Sequence, residues 1–195
     1  EFTIEHGKLW MLQTRNGKRT IFSALKIATD FVAEGLMEPA EALTKIEASE
    51  LPKLFAPILK QESKDAAKDA GKLLTTANKA SPGGACGEMV LDPDTAEAWV
   101  AEGRKVVLTR IETSPEDIGG MAVAEGILTA RGGMTSHAAV VARGMGVPCV
   151  SGAGDLKVDY KARTVTVGDR VLNEGDMIAI DGFEGEVFDG VIDVQ

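Results

Sequence analysis

The chain has 195 residues, of which 44% are hydrophobic, and a formal net charge of −9. This length and apolar content are typical of a globular protein with one fair-sized domain and a smaller attachment. The acidic excess argues against non-specific nucleic-acid binding, and no apolar run approaches the roughly 18 residues of a membrane span. Two cysteines, Cys86 and Cys149, suit a reducing, cytoplasmic compartment better than a disulfide framework, and no Cys/His spacing indicates a metal site.

The first stretch of the chain, residues 1–19, begins with polar and apolar side chains that alternate around a turn at His6-Gly7. This alternation predicts a β-hairpin. A two-stranded hairpin is marginal on its own in water, so we expect it to be the edge of something larger. The chain starts at Glu1 instead of a Met, which favours a fragment or a processed product.

Residues 20–72 are predicted to form a small helical subdomain and a linker. Apolar residues recur at helical spacing from Thr20 to Val32, and a second helix is predicted to begin near Pro39. Residues 60–72 contain almost no large apolar side chain and alternate Lys with Asp, Glu and Ala. Such a pattern predicts a solvated helix or a linker.

Residues 73–195 mix predicted strands with predicted helices, which indicates an α/β domain. Strands are predicted at residues 88–91, 105–111, 127–130, 148–150, 155–158, 163–167, 177–180 and 185–188, and helices at 94–102 and after Thr113-Ser114-Pro115. Close backbone packing is predicted at three glycines, Gly83, Gly84 and Gly87. Strands dominate the C-terminal end, so we expect a β/β/α arrangement with a mixed sheet. The acid-rich strands of residues 169–193 are expected to form solvated outer faces.

One loop concentrates the candidate chemistry. A glycine pair, Gly132-Gly133, follows the predicted strand at 127–130. Thr135 or Ser136 is a good N-cap for an apolar helix that we expect Gly144 to close. His137 would therefore lie in the first helical turn.

A histidine at a helix N-terminus is suited to phosphoryl chemistry. Free N–H groups and about half a positive charge collect there and favour an anion. Arg131 and Arg143 flank His137 in sequence and can add charge-assisted hydrogen bonds. A neutral imidazole nitrogen is a competent nucleophile near neutral pH, so the pattern predicts a transient phosphohistidine. The alternatives are a core histidine and a non-catalytic anion site.

The residues around His137 resemble a known signature. Residues 132–144, GGMTSHAAVVARG, with VPCVSG at 147–152, are similar to the phosphohistidine signature of the pyruvate, phosphate dikinases, in the PEP-utilising enzyme family. The Met134-Thr135-Ser136 run favours that group over the phosphoenolpyruvate synthases and enzyme I of the sugar phosphotransferase system. The segment beginning at Thr113 also resembles a dikinase element that lies near the phosphohistidine loop.

The resemblance implies a swivelling phosphohistidine domain at residues 73–195. It implies that His137 accepts the β-phosphoryl of ATP through a pyrophosphoryl intermediate and passes it reversibly to pyruvate, giving phosphoenolpyruvate. The supporting phosphoryl loop would comprise Gly132, Gly133, Thr135, Ser136 and Arg143. Thr135 coincides with the position at which plant members are switched by phosphorylation, although a simple N-cap role explains this residue equally well.

The resemblance also implies parts outside this chain. Residues 1–19 are similar to the tail of an ATP-grasp domain, with Glu1, Gln13 and Arg15 as remnants of its nucleotide site. The partners would be the ATP-grasp domain and the C-terminal pyruvate/PEP barrel domain of the same polypeptide, in an enzyme that uses Mg²⁺ and forms a homodimer; we expect this fragment alone to bind no metal. The alternatives are a carrier domain of a PEP synthase-like or other histidine phosphotransferase, and a non-catalytic anion-binding swivel module.

Overall fold

The computed structural model describes residues 1–14, 21–48, 51, 54 and 56–195. It divides into two compact units, residues 1–55 and 56–195. The three segments predicted from the sequence, with boundaries at 19/20 and 72/73, stay predictions.

The first unit begins with the predicted hairpin, which is confirmed. Strands β1 (Phe2–Glu5) and β2 (Lys8–Met11) pair antiparallel around a turn in which His6 and Gly7 have positive φ. The helical prediction is also confirmed, by α1 (Ile21–Ala33) and α2 (Pro39–Thr44). The predicted cap Thr20 lies outside the described residues.

The second unit contains most of the regular structure. Its elements are α3 (Gln61–Asp69), β3 (Leu73–Thr76), β4 (Asn78–Ser81), β5 (Gly84–Val90), α4 (Pro93–Ala101), β6 (Val106–Arg110), a 3₁₀ turn (Pro115–Asp117), α5 (Ile118–Val123), β7 (Gly126–Thr129), α6 (His137–Met145), β8 (Cys149–Ser151), β9 (Leu156–Asp159), β10 (Thr164–Val167), β11 (Arg170–Asn173), β12 (Met177–Asp181) and β13 (Glu186–Asp189). None of the helices in the described parts of the chain has the length and apolar character to cross a membrane.

Eight strands form one mixed sheet in the order β3-β13-β12-β5-β6-β7-β8-β4. Strands β5 to β8 run parallel, and α4, α5 and α6 connect them in turn, because parallel neighbours need a crossover. Strands β9, β10 and β11 form a separate antiparallel sheet. The parallel strands place their carboxyl ends, and the loops that follow, along one edge of the large sheet.

Two buried layers separate the sheets and helices. Between the sheets, Val107 and Leu128 of the large sheet share a core with Val165 of the small one. On the opposite face, Ile127 packs in a second core with Ala139 of α6. These cores make three layers, small sheet, large sheet and helices, which confirms the predicted β/β/α arrangement with a mixed sheet.

The glycine-rich stretch near residue 84 forms part of a strand, which begins before the strand predicted at residues 88–91. Strand β5 begins at Gly84, and a Cβ at Gly87 would lie 2.7 Å from the carbonyl oxygen of Lys105. A Cβ at Gly84 would lie 2.6 Å from the backbone nitrogen of Leu59. The close packing predicted for these glycines is therefore confirmed at Gly84 and Gly87.

Residues 60–72 contain a helix, which is one of the two predicted alternatives, but this helix is not solvated on all sides. Helix α3 packs against the rest of the second unit and buries Lys64, of which only 3% is exposed. The Nζ of Lys64 lies 2.5 Å from Asp181 and 2.9 Å from Glu186, and Lys68 Nζ lies 2.5 Å from the other oxygen of Glu186. The expectation that the acids of residues 169–193 form only solvated faces is therefore wrong for Asp181 and Glu186, since both are buried ion-pair partners. A lysine-rich helix with few apolar residues can dock when buried carboxylates match its charges.

Candidate functional site

The loop between β7 and α6 emerges at the carboxyl ends of the parallel strands. In open α/β sheets this edge is where ligands usually bind. Helix α6 begins at His137 with Ser136 as its N-cap, whose Oγ accepts a hydrogen bond from the Ala139 N–H at 3.3 Å. The predicted end at Gly144 is wrong: the helix runs to Met145, and Gly146 caps it with a φ of 73°. Glycine adopts this left-handed conformation without strain, whereas Gly144 lies inside the helix.

The two loop glycines differ in their surroundings. Gly132 has a φ of +111°, and a Cβ there would lie 2.8 Å from the Cβ of Ser136. Its carbonyl oxygen accepts a hydrogen bond from the Asn78 side chain at 3.3 Å, and a Cβ on Gly152 would overlap that oxygen. Both glycines are exposed, but a Cβ added at Gly133 would meet no atom within 4 Å. Gly132 shapes the loop, and Gly133 leaves it accessible.

We expect Gly132→Ala to lower the free energy of unfolding by about 1–3 kcal/mol, because a side chain there is strained and meets Ser136. Gly133→Ala is the matched control and should stay within about 0.5 kcal/mol of the unaltered chain, although it should weaken any transfer that needs the backbone close to a ligand. Chemical denaturation measures both values. Equal stability of the two variants would contradict the assigned difference.

His137 is half-buried and has one protein partner among the described residues. Its Nδ1 lies 3.1 Å from the Oγ1 of Thr113, which is buried. Within the same residues no hydrogen bond to Nε2 is present. If the hydroxyl accepts from Nδ1–H, the lone pair is left on Nε2, which is the nucleophilic form of that nitrogen.

The charges around the loop favour an anion. No acidic residue occurs between Glu125 and Asp155, although the chain as a whole carries a net charge of −9. Arg131 and Thr135 are exposed. Arg143 donates from Nε to the carbonyl of Ala139 at 2.9 Å and from Nη2 to the carbonyl of Met134. Arg143 therefore connects the loop to helix α6 through these two hydrogen bonds.

The predicted remnants of a nucleotide site belong to the first unit. The carbonyl oxygen of Glu1 accepts a hydrogen bond from the Gln13 N–H at 3.3 Å, so the hairpin brings these two residues together. Arg15 lies outside the described residues. In the described part of the chain, no group of three or more His, Cys, Asp or Glu side chains is placed to hold a metal ion.

The two cysteines have different environments. Cys149 is fully buried in the core under the helices, and burial raises the pKa of its thiol to about 12. Cys86 is only half-buried, and burial likewise raises the pKa of its thiol. Formation of the reactive thiolate is therefore unfavourable at both cysteines.

The sequence reasoning missed Thr113 and Asn78 as supports of the loop. The segment beginning at Thr113 was expected to start a helix and, by resemblance, to lie near His137, but no single residue was assigned to the contact. Ser114 proves to be the cap, which frees the neighbouring Thr113 hydroxyl for His137. The sequence does contain one further signal for an anion site at this loop, the interval without acidic residues around His137.

Comparison with known proteins identifies the fold around this loop. Residues 102–185 match the family described as "PEP-utilising enzyme, mobile domain". The mobile domain holds the whole stretch from α5 through the His137 loop to β12, so the predicted relationship to PEP-utilising enzymes is confirmed.

Relatives of the mobile domain carry a more specific name. A pyruvate, phosphate dikinase from Rhizobium meliloti (strain 1021) is 54% identical over 98% of this chain and 21% of its own length. One from Clostridium symbiosum is 52% identical over the whole of this chain and 22% of its own length. A chloroplastic one from Flaveria pringlei is 49% identical over 97% of this chain. The chain therefore spans about a fifth of the length of these relatives.

A solution structure of Enzyme I (nEIt) aligns with 46% of this chain at 28% identity. The TM-score of this alignment is 0.32, which is too low to support an argument.

Proposed function

We propose that this chain is the phosphocarrier portion of a pyruvate, phosphate dikinase, a phosphotransferase with paired acceptors, and that His137 carries the phosphoryl group. The observation that carries the proposal is the state of His137: its Nδ1 is held by Thr113 and its Nε2 faces no protein partner among the described residues. The identity of 52–54% to dikinases supports this assignment over a PEP synthase-like carrier or a non-catalytic anion-binding module.

The proposed chemistry has three transfers. The Nε2 lone pair attacks the β-phosphorus of ATP, the bond to the α-phosphate oxygen breaks, and AMP leaves with that electron pair. An oxygen of inorganic phosphate then takes the terminal phosphoryl group, which releases pyrophosphate and leaves phosphohistidine. The enolate oxygen of pyruvate finally attacks this phosphorus, forming phosphoenolpyruvate and returning the electron pair to Nε2. The Nδ1 proton stays on the ring throughout, held by Thr113.

The loop residues have separate proposed roles. Gly132 and Gly133 allow the backbone to approach the phosphoryl group, and Ser136 and Thr135 supply N–H and hydroxyl groups at the positive end of α6. Arg143 supports the loop through its two carbonyl contacts, and it can reach phosphoryl oxygens only by giving up one of them. Phosphorylation of the exposed Thr135 would place a dianion two residues from His137 and repel the incoming phosphate, so regulation at this position is also proposed.

The remaining functions are proposed for parts of the longer polypeptide. These are an ATP-grasp domain, to which Glu1, Gln13 and Arg15 would contribute, and a C-terminal pyruvate/PEP barrel domain. Mg²⁺ would be bound there with ATP. A homodimer and a cytoplasmic location complete the proposal. Swivelling of residues 73–195 would bring His137 to both sites in turn.

The proposal is tested by incubating this chain with labelled phosphoenolpyruvate and a separately supplied C-terminal barrel domain. Phosphohistidine is stable in base and labile in acid, which distinguishes it from phosphoserine and phosphothreonine. Acid-labile, base-stable label on the chain supports the proposal, and its absence while the barrel domain is active would refute it.

Replacing Thr113 by valine should slow phosphoryl uptake about threefold to tenfold, the rate equivalent of one ordinary hydrogen bond. Valine has the same shape but cannot hold the Nδ1 proton, so part of the imidazole shifts to the tautomer with its proton on Nε2. The rate of label uptake under single-turnover conditions measures the effect. Thr113→Ser keeps the hydroxyl and should react at nearly the original rate. A valine variant as fast as the unaltered chain would remove Thr113 from the mechanism.

A further inference from the structure

We infer that Asp117 and Arg110 are positioning residues for His137: their buried ion pair fixes the segment that carries Thr113, and Thr113 sets the tautomer of the histidine. The inference deepens the proposed function and rests on it. Neither Asp117 nor Arg110 contacts the imidazole, so both act through Thr113.

The segment in question, Ile111 to Ser114, has no regular structure of its own. It leaves the end of β6 and enters the 3₁₀ turn that precedes α5. No sheet or helix ladder holds Thr113 in place, so its position depends on the contacts of its neighbours. Hydrogen bonds hold the segment at both ends, at Ile111 and at Ser114. Tyr160 accepts a hydrogen bond from the Ile111 N–H at 2.8 Å, and Asp117 accepts one from the Ser114 N–H at 2.7 Å.

The two carboxylate oxygens of Asp117 have different tasks. Oδ2 accepts hydrogen bonds from the Ser114 N–H at 2.7 Å and from the Ser114 hydroxyl at 3.2 Å. The first of these, together with the Ser114 side chain accepting from the Asp117 N–H, makes the capping box. Oδ1 lies 3.0 Å from the Nε of Arg110. Asp117 is only 1% exposed, so its charge is taken out of water and is balanced by the guanidinium beside it.

Arg110 is held by elements outside the capping turn. Its Nη1 donates to the carbonyl of Leu91, at the end of β5, at 2.7 Å. Its guanidinium carbon lies 4.8 Å from the ring centre of Tyr160, the same residue that anchors Ile111 through its hydroxyl. Arg110 therefore links the strand ends to both anchors of the segment that presents Thr113.

A cap alone does not require this arrangement. Glu116, in the same turn, is exposed and already supplies negative charge at the helix start. A buried ion pair gives little net stability over a well-packed apolar pair. What it adds is a fixed position, because the buried charge of Asp117 is balanced only where the Arg110 guanidinium lies, and the Leu91 carbonyl holds that guanidinium through Nη1. Such geometry is useful where a hydroxyl must stay within hydrogen-bond distance of a reacting imidazole.

The experiment combines two measurements on the complete chain. The first is the rate of phosphorylation by phosphoramidate, from which a ring nitrogen displaces ammonia; the exposed His6 reports the intrinsic rate in the same sample. The second is the ¹⁵N spectrum of the imidazole rings, which reports the tautomer of His137. Both are made on the unaltered chain, Asp117→Asn, Thr113→Val, the double variant and Glu116→Gln. Glu116→Gln is the matched control because it removes one acid from the same turn without touching Ser114 or Arg110.

We expect Asp117→Asn to slow His137 about threefold to tenfold, to leave His6 unchanged and to mix the two tautomers. In the Thr113→Val background the same substitution should change the rate less than about twofold, since residues that act through one contact are not additive. Glu116→Gln should change neither measurement. Equal slowing by Asp117→Asn in both backgrounds, or an unchanged tautomer, would overturn the inference.

Two further outcomes are decisive. If Asp117→Asn does not fold, Arg110→Lys is measured in its place, because it keeps the positive charge but loses the fork that joins Asp117 to Leu91; unchanged rate and tautomer in that variant would overturn the inference. If His137 of the unaltered chain reacts no faster than His6, the proposed function fails. The tautomer measurement still decides whether Asp117 positions the ring.

Discussion

His137→Asn is expected to reduce phosphoryl uptake from phosphoenolpyruvate by at least about 10³-fold, to the background level. Asparagine is similar in size and can still bond to Thr113, but its amide nitrogen has no available lone pair for attack on phosphorus. His137 is half-buried at the start of a well-capped helix, so the variant should stay folded, and circular dichroism checks this. Acid-labile, base-stable label is measured on each variant with the barrel domain supplied.

The chain provides a matched control for this substitution. His6 is its other histidine, an exposed residue in the hairpin turn with a φ of 51°, a conformation that asparagine tolerates. His6→Asn should therefore keep full uptake. Label that persists on His137→Asn, or that disappears from His6→Asn, would show that the carrier is not His137.

Lys64→Met should lower the free energy of unfolding by about 3–5 kcal/mol. The substitution removes the charge that lies between Asp181 and Glu186, and both carboxylates stay buried without it. Denaturation in urea measures the change. Lys68→Met is the matched control: Lys68 is partly exposed and pairs with Glu186 alone, so its loss should be about 1 kcal/mol or less. Equal effects of the two substitutions would contradict the central place of Lys64.

The pH dependence gives a second test of the same network. Burial acts to raise the pKa of Glu186, but hydrogen bonds from Lys64 and Lys68 outweigh it, so this pKa lies below its ordinary value of 4.5. The stability from Glu186 is therefore present above pH 4.5 and is lost as the pH falls through the lower folded-state value. In Lys64→Met the carboxylate loses its main partner and its protonation becomes favourable. The stability difference between the two chains should therefore narrow from pH 7 to pH 4; a constant difference would exclude this linkage.

Patterns in consecutive residues allowed much of the second unit to be predicted. The strand at 127–130, the glycine pair and the Ser136 cap are adjacent in sequence, so their geometry follows from local rules. The layer order followed from the alternation of strands and helices and from the strand-rich end. Short or polar strands were missed, among them β4 and β11, because a strand made by pairing with a distant partner needs little local β pattern.

The supports of His137 were harder to predict, because they come from distant parts of the chain. Thr113 lies 24 residues from His137 along the chain, and Asn78 lies 54 residues from Gly132. The parallel order of β6, β7 and β8 brings the ends of these strands to one edge of the sheet. This order places the Thr113 hydroxyl within hydrogen-bond distance of the Nδ1 of His137. The contact between Arg143 and the loop was not predicted either. The sequence indicated only that Arg143 could bind an anion, whereas the fold of the loop brings the Met134 carbonyl to its guanidinium.

The sequence by itself predicted the candidate nucleophile, and it determined the place of His137 in the first turn of a helix and the likeness to the mobile-domain family, because these depend on residues close together in the chain. The tertiary structure decided which nitrogen of His137 contacts the Thr113 hydroxyl, and why the acidic C-terminal end holds a lysine-rich helix. Both depend on contacts between distant residues: a buried charge or a shared proton is stable only where the fold supplies its partner.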